Sequence, residues 1–275
     1  MDNVIKRMIE ESPAIKMGTL AYSDNFMLTN GGVLNIYNDL TEADCLSITS
    51  ASQLKQIQFA RSFNVVDDTF NLINSRLLPS SKNPTFHVIM NGHDAVQDLK
   101  CLRLLTNLKS LTVDMFKSDQ LKELNLYAKL EALGLGGHGI SVKPITQQTS
   151  LEELFLFGKL KDVESISSMK GLKKVTFSQI SLKNLDFLTE LDELRELNFM
   201  LGSASNYEQL PNIGRIEHLS FGRVRHLTID HLLPINRMKY LKKLSFHTQA
   251  HLTDLDWLTD KTIQTEVINC MSFRS

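Results

Sequence analysis

The fold of this chain is decided by residues 172–199, which read LKKVTFSQISLKNLDFLTELDELRELNF. An apolar residue is followed by a second three positions on and a third two positions later, at Leu172/Val175/Phe177 and again at Leu194/Leu197/Phe199. The last two residues of each set are two apart, which is the spacing of side chains on one face of a β-strand. Each set therefore predicts a short strand with one buried face.

The same set recurs along the chain, with starts that are 22, 21, 21, 22, 22 and 25 residues apart. The seven copies are Leu108/Leu111/Val113, Leu130/Leu133/Leu135, Leu151/Leu154/Leu156, Leu172/Val175/Phe177, Leu194/Leu197/Phe199, Ile216/Leu219/Phe221 and Leu241/Leu244/Phe246. A fixed period of this length indicates stacked units, each too small to bury its apolar face alone, so that neighbours share one core.

The second half of each unit carries apolar residues three apart, as at Leu182, Leu185, Leu188 and Leu191. This spacing suits a short 3₁₀ turn, whose side chains eclipse every third residue. The sequence thus predicts an α/β repeat solenoid. We expect a curved parallel sheet on its concave face and short 3₁₀ or irregular helical turns on its convex face.

The repeats weaken toward both ends of the chain. Further strands are predicted at Leu34/Ile36, Leu46/Ile48, Leu54/Ile57/Phe59, Thr85/Val88/Met90 and Thr265/Ile268/Cys270. Residues 1–30 lie outside the period and are predicted to form an N-terminal cap, a short helix on Val4, Ile5, Met8 and Ile9 followed by a loop. We divide the rest into degenerate repeats at 31–84, regular repeats at 85–262 and a C-terminal capping strand at 263–275.

Composition and charge exclude several classes of protein. The net charge is −1, so no basic excess points to nucleic acid or to an anionic membrane surface. No stretch reaches the roughly 18 apolar residues of a membrane span. The beginning of the chain lacks the apolar run of a secretory signal. The three cysteines lie far apart, which favours thiols in a reducing compartment. We therefore expect a cytoplasmic protein, and a monomer.

The segments 172–199 and 241–259, the latter LKKLSFHTQAHLTDLDWLT, resemble leucine-rich repeats. They are most similar to the 22-residue class of internalins and of repeat-type protein-phosphatase regulators. The resemblance implies a horseshoe and says little about function. The family's asparagine, eight positions after the first leucine, is replaced by Phe116, His138, Lys159, Ile180, Gly202, Val224 and Gln249. We therefore expect no asparagine ladder and irregular turns. The signal and wall-anchoring tail of exported internalins are also missing, which argues against their surface role.

The concave face is the candidate binding surface. Positions two, four and six after the first leucine point out of the sheet, and most hold small polar residues. Phe155 and Phe157 are exceptions, with Met200 two strands away and Asn198 beside it. Exposed aromatic side chains on a rigid sheet are typical anchors of protein interfaces. The alternative is a slipped register, or a loop that covers both rings.

Charges on the same face are mixed, with Asp114, Glu153 and Glu196 against Lys174 and Lys243. A nucleic-acid-binding protein should instead present a basic stripe. The sequence therefore predicts a non-catalytic module that binds another protein, with these charges setting complementarity. Two narrower hypotheses are a bacterial immunity protein or antitoxin that occludes a toxin, and a regulatory or adaptor subunit of an enzyme such as a phosphatase.

No motif predicts an enzyme, a cofactor or a metal site. Residues 134–139, GLGGHG, match G-x-G-x-x-G, but Pro144 interrupts any following helix, so a tight turn within one repeat is expected. The histidine pairs His247/His251 and His226/His231 have no third ligand with a known spacing. No serine, cysteine or threonine lies in a nucleophile elbow.

Overall fold

The structure is a computed structural model that describes residues 5, 9, 11–51, 53–60, 63–80, 84–90, 99–115, 119–124 and 129–273. The chain divides into two compact units, Met1–Leu133 and Gly134–Ser275, which we call unit 1 and unit 2. In both units, parallel strands alternate with short helical segments. The repeat architecture predicted from the leucine spacing is confirmed.

The sheet of unit 1 begins with a β-hairpin and continues with parallel strands. Its strands, in sheet order, are β1 Thr19–Tyr22, β2 Phe26–Thr29, β3 Val33–Ile36, β4 Gln56–Phe59, β5 Thr85–Met90 and β6 Ser110–Met115. The pairs β1–β2 and β2–β3 are antiparallel, and the pairs from β3 to β6 are parallel. The helical segments are α1 Pro13–Met17, α2 Glu42–Ser50, α3 Asp67–Leu72, a π-helical turn Ile73–Leu77, and 3₁₀ turns Leu99–Leu104 and Asp119–Glu123.

The predicted N-terminal cap contains more strand than the sequence suggested. Ile5 and Ile9 are helical and buried, whereas Val4 and Met8 lie outside the described residues. The hairpin of β1 and β2 occupies most of the segment expected to be a loop. Its buried side chains are Phe26 and Leu28, so this hairpin adds its own apolar residues to the core of unit 1.

Unit 2 is a row of parallel strands in the order β7-β8-β9-β11-β13-β14-β15. These are β7 Ala132–Ser141, which begins at the unit boundary, β8 Glu153–Lys161, β9 Lys174–Ser178, β11 Glu196–Met200, β13 His218–Gly222, β14 Lys243–His247 and β15 Gln264–Ile268. Two short strands, β10 Ser181–Leu182 and β12 Ser203–Ala204, pair separately. The helical segments are 3₁₀ turns Lys143–Gln147, Val163–Ser168, Asp186–Glu190, Leu210–Asn212 and Leu233–Arg237, and α4 Ile229–Leu232.

A column of stacked phenylalanines runs through the core of unit 2. The last apolar residue of each repeat set falls in register with the next, and four of them are Phe177, Phe199, Phe221 and Phe246. Their ring centroids are successively 6.0, 5.6 and 5.7 Å apart, and all four rings are buried. Offset stacking at such distances adds to the free energy gained by burying the rings. The back-half leucines Leu185, Leu188 and Leu191 are also fully buried.

The turns that follow the strands are regular, contrary to expectation. Gln179, Leu201, Arg223 and Thr248 each come directly after a strand and adopt φ between 49° and 59°. The backbone N–H of each donates to the last carbonyl of the next strand, with N···O distances of 2.8–2.9 Å. The left-handed conformation is unfavourable for non-glycine residues, yet its repetition gives these four turns the same hydrogen bond.

Backbone pairing and one glutamine replace the missing asparagine ladder. Ser203 N–H donates to Ile180 O, which joins β12 to β10 beside Gly202. Two repeats later, Gln249 is buried and its Nε2 donates to Phe221 O at 2.9 Å. Buried backbone carbonyls need partners, and these bonds supply them at and beside the positions where an asparagine was looked for.

Three predicted strand positions are wrong. Leu46 and Ile48 lie in helix α2, because Thr41 and Asp44 form a capping box that starts a helix there. In β5 the core pair is Phe86 and Val88, since Phe86 pairs with Leu111, so the predicted Thr85/Val88/Met90 set is out of phase. In β15, Thr265 and Val267 align with Leu244 and Phe246, which places the predicted core residue Ile268 on the outer face.

The capping box makes Asp44 a contributor to stability that depends on pH. Burial raises its pKa, but hydrogen bonds from Asn25, Ser23 and Thr41 outweigh burial and hold the pKa below its ordinary value. A carboxyl whose folded pKa is depressed stabilises the fold above its unfolded pKa, near 3.9, and loses that contribution as pH falls through the folded pKa.

We expect Asp44→Asn to destabilise unit 1 by about 1 kcal/mol at neutral pH, because the cap is weakened. The difference between the variant and the wild type should shrink as pH is lowered from about 4, the unfolded pKa of an aspartate, through the lower pKa of folded Asp44. Thermal unfolding followed by circular dichroism between pH 2.5 and 7 measures both curves. A constant difference across that range would contradict the assignment.

Candidate functional site

The sheet of unit 2 presents one face away from its core, which we call the strand face. Strand register arranges its residues in three rows across β8, β9, β11, β13, β14 and β15. The rows are Glu153/Lys174/Glu196/His218/Lys243/Gln264, Phe155/Thr176/Asn198/Ser220/Ser245/Glu266 and Phe157/Ser178/Met200/Gly222/His247/Ile268. Eight of the nine candidate residues lie on this face; the ninth, Asp114, lies in unit 1.

Phe155 and Phe157 stand next to each other on the strand face. Their rings are stacked, with centroids 5.2 Å apart and planes inclined by 22°. The intervening Leu156 is buried, as is Leu154, so the strand has the register that the leucine spacing predicted. Phe155 is 37% exposed, an unusual value for an aromatic side chain in a regular strand. The two rings therefore form an apolar patch that faces solvent.

Glycines of β7 make room for this patch. A Cβ on Gly136 would lie 1.9 Å from Cε2 of Phe157, so the ring occupies the space that any larger residue would fill. The GLGGHG letters lie inside strand β7 rather than in a tight turn, with φ of 147° at Gly137 and 74° at Gly139. The glycines thus serve close packing against β8, and no helix follows that could bind a pyrophosphate.

Asn198 and Met200 lie on β11, in the second and third rows of the strand face. Asn198 Nδ2 donates to Thr176 Oγ1 at 3.2 Å and to Glu196 Oε1 at 2.9 Å, which fixes the amide. Met200 is 43% exposed, and its Cγ lies 3.7 Å from the position that a Cβ of Gly222 would occupy. A second exposed apolar side chain thus stands two strands away from the phenylalanine pair.

Three of the charged candidates on the strand face, Lys174, Glu196 and Lys243, are held in ion pairs. Lys174 Nζ lies 3.2 Å from Glu196 Oε1, and Lys243 Nζ lies 2.9 Å from Glu266 Oε2. Burial raises the pKa of Glu196, but the hydrogen bonds from Asn198 and Lys174 and the charge of Lys174 outweigh it and keep the pKa low. Glu266 was not among the predicted residues; the out-of-phase reading of β15 concealed its position.

Asp114 belongs to a different polar surface, on the outward side of the sheet of unit 1. It is half-buried on β6, and its charge partly offsets the burial that lowers the pKa of His87. A chain of amides crosses this surface: Gln58 Nε2 donates to Asn35 Oδ1 at 2.8 Å, and Gln56 Nε2 to Gln58 Oε1 at 2.6 Å. The sequence analysis missed these amides, although they alternate with buried residues in β3 and β4.

The described residues show no arrangement suited to metal binding. Among them, no three histidine, cysteine, aspartate or glutamate side chains come together as metal ligands. Burial raises the pKa of Cys45 to about 11, which leaves its thiol protonated and unreactive at neutral pH. His231 is engaged in the cap of α4 through Thr228. Over the same part of the chain, no helix has the length and apolarity to cross a bilayer.

Comparison with known proteins finds similar structures but no similar sequences. No protein-family model and no curated protein sequence matches the chain. An internalin C2 from Listeria monocytogenes is 13% identical with a TM-score of 0.44, covering 85% of this chain and 90% of its own. An internalin, InlF, from the same species is 15% identical with a TM-score of 0.34, covering 95% and 92%. TLR13, solved with ssRNA13, is 16% identical with a TM-score of 0.42, covering 81% and 30%.

Proposed function

Because the chain is built of leucine-rich repeats, we propose that it is a non-catalytic recognition module that binds another protein on the strand face of unit 2. The observation that carries the proposal is the stacked, solvent-facing pair of Phe155 and Phe157. A few large side chains usually supply most of the binding free energy at such an interface, and aromatic rings are prominent among them. Met200 extends the apolar surface on the same face.

The rigidity of the surface supports the same proposal. The rings are held by Gly136 and by each other, and the amide of Asn198 is held by Thr176 and Glu196. Side chains that are already ordered lose little conformational entropy on binding, so more of each contact contributes to affinity. The ion pairs Lys174–Glu196 and Lys243–Glu266 contribute orientation rather than net attraction.

A photo-crosslinking residue tests where the partner binds. With p-benzoylphenylalanine in place of Met200, we expect irradiation of native lysate to yield a specific crosslinked protein. The same residue in place of Tyr240, which is exposed and lies outside the three rows of the strand face, should yield none. Equal crosslinking at both positions, or crosslinking at Tyr240 alone, would contradict the proposal.

Phe157→Ala is expected to weaken binding to the captured partner by about 2 kcal/mol, or roughly thirtyfold in Kd. The reason is that the variant removes a half-buried ring from the patch and frees Phe155 from its stack. Isothermal titration calorimetry measures the change, with Tyr240→Ala as the matched aromatic truncation. Thermal unfolding of each variant shows whether the fold is kept. Unchanged affinity would remove Phe157 from the site.

The identity of the partner distinguishes the narrower functions. Capture of a toxin would make the chain an immunity protein or antitoxin, and capture of a phosphatase or another enzyme would make it a regulatory or adaptor subunit. In both cases we propose a cytoplasmic monomer that acts by occupying the surface of its partner.

A further inference from the structure

Strand β15 is the last strand in the sheet of unit 2 and has one unpaired edge. The N–H of Gln264 and the C=O of Ile268 are hydrogen-bonded toward β14. Successive residues of a strand direct their backbone groups to opposite sides, so Thr265, Val267 and Asn269 direct theirs away from β14. Within the described part of the chain, nothing bonds to these three N–H groups. A row of unpaired donors and acceptors of this kind is a template for a further strand.

The turn after β15 keeps the conformation of the turns before it. Asn269 has φ of 53°, the same value as Thr248, the left-handed residue that follows β14. The N–H of Thr248 donates to the last carbonyl of the next parallel strand, Ile268 O, at 2.8 Å. By the same geometry, the N–H of Asn269 points to the place where the last carbonyl of a further parallel strand would lie. The open edge is therefore shaped to continue the sheet in the parallel direction.

Apolar groups lie uncovered beside this edge. Val267 is in register with Phe246 at the end of the phenylalanine column, but it is only half-buried, whereas the four rings are buried. With Met271, Phe273 and others it lines a cavity of about 480 Å³. Met271 is 98% exposed, an extreme value for an apolar side chain. A large apolar side chain placed against Val267 would extend the column and cover these groups.

The edge also has a charge that favours a basic ligand. Glu266 Oε2 lies 2.9 Å from Lys243 Nζ and accepts from Ser245 Oγ at 3.2 Å, and both partners come from β14. Its other oxygen, Oε1, accepts no hydrogen bond from the residues that the structure describes. A carboxylate can accept several hydrogen bonds, so a lysine or arginine on the far side can pair with Oε1 as Lys243 pairs with Oε2. An acidic residue at that place would be repelled.

We propose that the open edge of β15 binds an extended segment of another protein as an added parallel strand, with a basic residue opposite Glu266 followed directly by a large apolar residue opposite Val267. Backbone hydrogen bonds to the edge supply affinity, and these two side chains supply selectivity. The site is separate from the three rows of the strand face, and the inference does not depend on the proposed function.

Selection of short random peptides displayed on phage, with the full chain as target, tests the inference. We expect enriched peptides to share lysine or arginine followed by phenylalanine, leucine or methionine. Val267→Pro should weaken binding of such a peptide at least about tenfold, because the ring blocks the edge and removes an N–H that the added strand needs. The ladder to β14 does not use this N–H, so thermal unfolding should show that the fold is kept. Tyr240→Ala should leave the affinity unchanged.

Methylated peptides keep the test independent of any folding defect, since they are measured on the unaltered chain. In a parallel added strand, the residue opposite Glu266 directs its N–H toward β15, and the residue opposite Val267 directs its N–H away. N-methylation of the basic residue should therefore abolish binding in a fluorescence anisotropy titration. N-methylation of the apolar residue that follows should change the affinity little.

Four results would overturn the inference. They are enrichment without the basic and apolar pair, binding that survives Val267→Pro, equal effects of the two methylations, and self-association of the chain through this edge. The last is measured by analytical ultracentrifugation across a concentration series, in which we expect the chain to sediment as a monomer. A dimer that Val267→Pro dissociates would show that a second copy, rather than another protein, occupies the edge.

Discussion

Phe221→Ala is expected to lower the free energy of unfolding of unit 2 by about 4 kcal/mol. The ring is fully buried and lies between Phe199 and Phe246, with centroids 5.6 and 5.7 Å away. Tyr207 meets it edge-on at 5.8 Å. Truncation therefore leaves a cavity with aromatic groups on three sides, which neighbouring strands cannot close because backbone hydrogen bonds fix their spacing. Urea denaturation followed by circular dichroism measures the loss.

Two control variants separate the lost stack from a general effect of truncation. Phe221→Leu keeps most of the volume and should cost less than about 1.5 kcal/mol. Phe155→Ala removes an identical ring from the solvent-facing strand surface, where it is 37% exposed, and should cost less than 1 kcal/mol on the same scale. Losses of similar size at Phe221 and Phe155 would mean that the stacked column does not hold the repeats together.

Gly202→Ala is expected to cost about 3 kcal/mol. A Cβ at this position would lie 2.1 Å from Ile180 O and 2.9 Å from Ile180 N, both of which are backbone atoms. These atoms cannot move aside without breaking the pairing of β10 with β12, which carries the hydrogen bond from Ser203 to Ile180. The methyl group must therefore separate two adjacent repeats. Chemical denaturation and the melting temperature both report the change.

Gly171→Ala is the matched control for this substitution. A Cβ on Gly171 would meet its nearest neighbours, Leu151 O and Thr149 O, at an ordinary contact distance of 3.6 Å. Gly171 is also exposed, so we expect a change within 0.5 kcal/mol. If Gly202→Ala is as well tolerated as Gly171→Ala, then the close approach of the two repeats does not constrain the fold.

The spacing of leucines was sufficient to predict most of the fold. Leu172, Val175 and Phe177 occupy the same places in their repeat as Leu194, Leu197 and Phe199 do in the next, as strand register confirms. The repeat period and the spacing of two within each strand can both be read from the sequence. Each corresponds to one geometric property of the fold, the stacking of units and the alternation of side chains in a strand. The 3₁₀ turns of the back halves follow for the same reason.

The wrong strand predictions occur where the same apolar residues fit more than one strand register or more than one type of secondary structure. In β5, Phe86 and Val88 alternate just as Val88 and Met90 do, and only pairing with Leu111 selects the first reading. A shift in phase moves a residue to the other face of a sheet, as happened to Ile268 in β15. Leu46 and Ile48 have the spacing of a strand, but they lie in helix α2 because a capping box stabilises the start of that helix.

The candidate site was predictable in part. The outward direction of Phe155 follows from the burial of Leu154 and Leu156, which the repeat predicts. The ion pair of Lys174 with Glu196 depends on a contact between strands about 22 residues apart in sequence. A single sequence gives the row in which a side chain lies, but it does not give the direction in which that side chain leans or the partner that it finds.

The missing asparagine illustrates how one structural requirement has several solutions. Carbonyl groups beside the turns must be satisfied, and the chain achieves this with Ser203 N–H in one repeat and with the side chain of Gln249 in another. We expected irregular turns because we took asparagine to be necessary for regular ones. Only the hydrogen bonds are necessary, and the left-handed residue after each strand repeats them from Gln179 to Thr248.

The turn bond from each left-handed residue reaches only the strand immediately beyond it, and each ring of the phenylalanine column stacks only on the ring next to it in the column. Contacts of this kind do not depend on how many strands precede or follow. A second copy of residues 194–215, inserted after residue 215, would therefore meet the same groups on both sides that the original meets. Gene segments of this size can accordingly be gained or lost in evolution by unequal recombination, which alters the length of the strand face while each remaining module keeps its internal geometry.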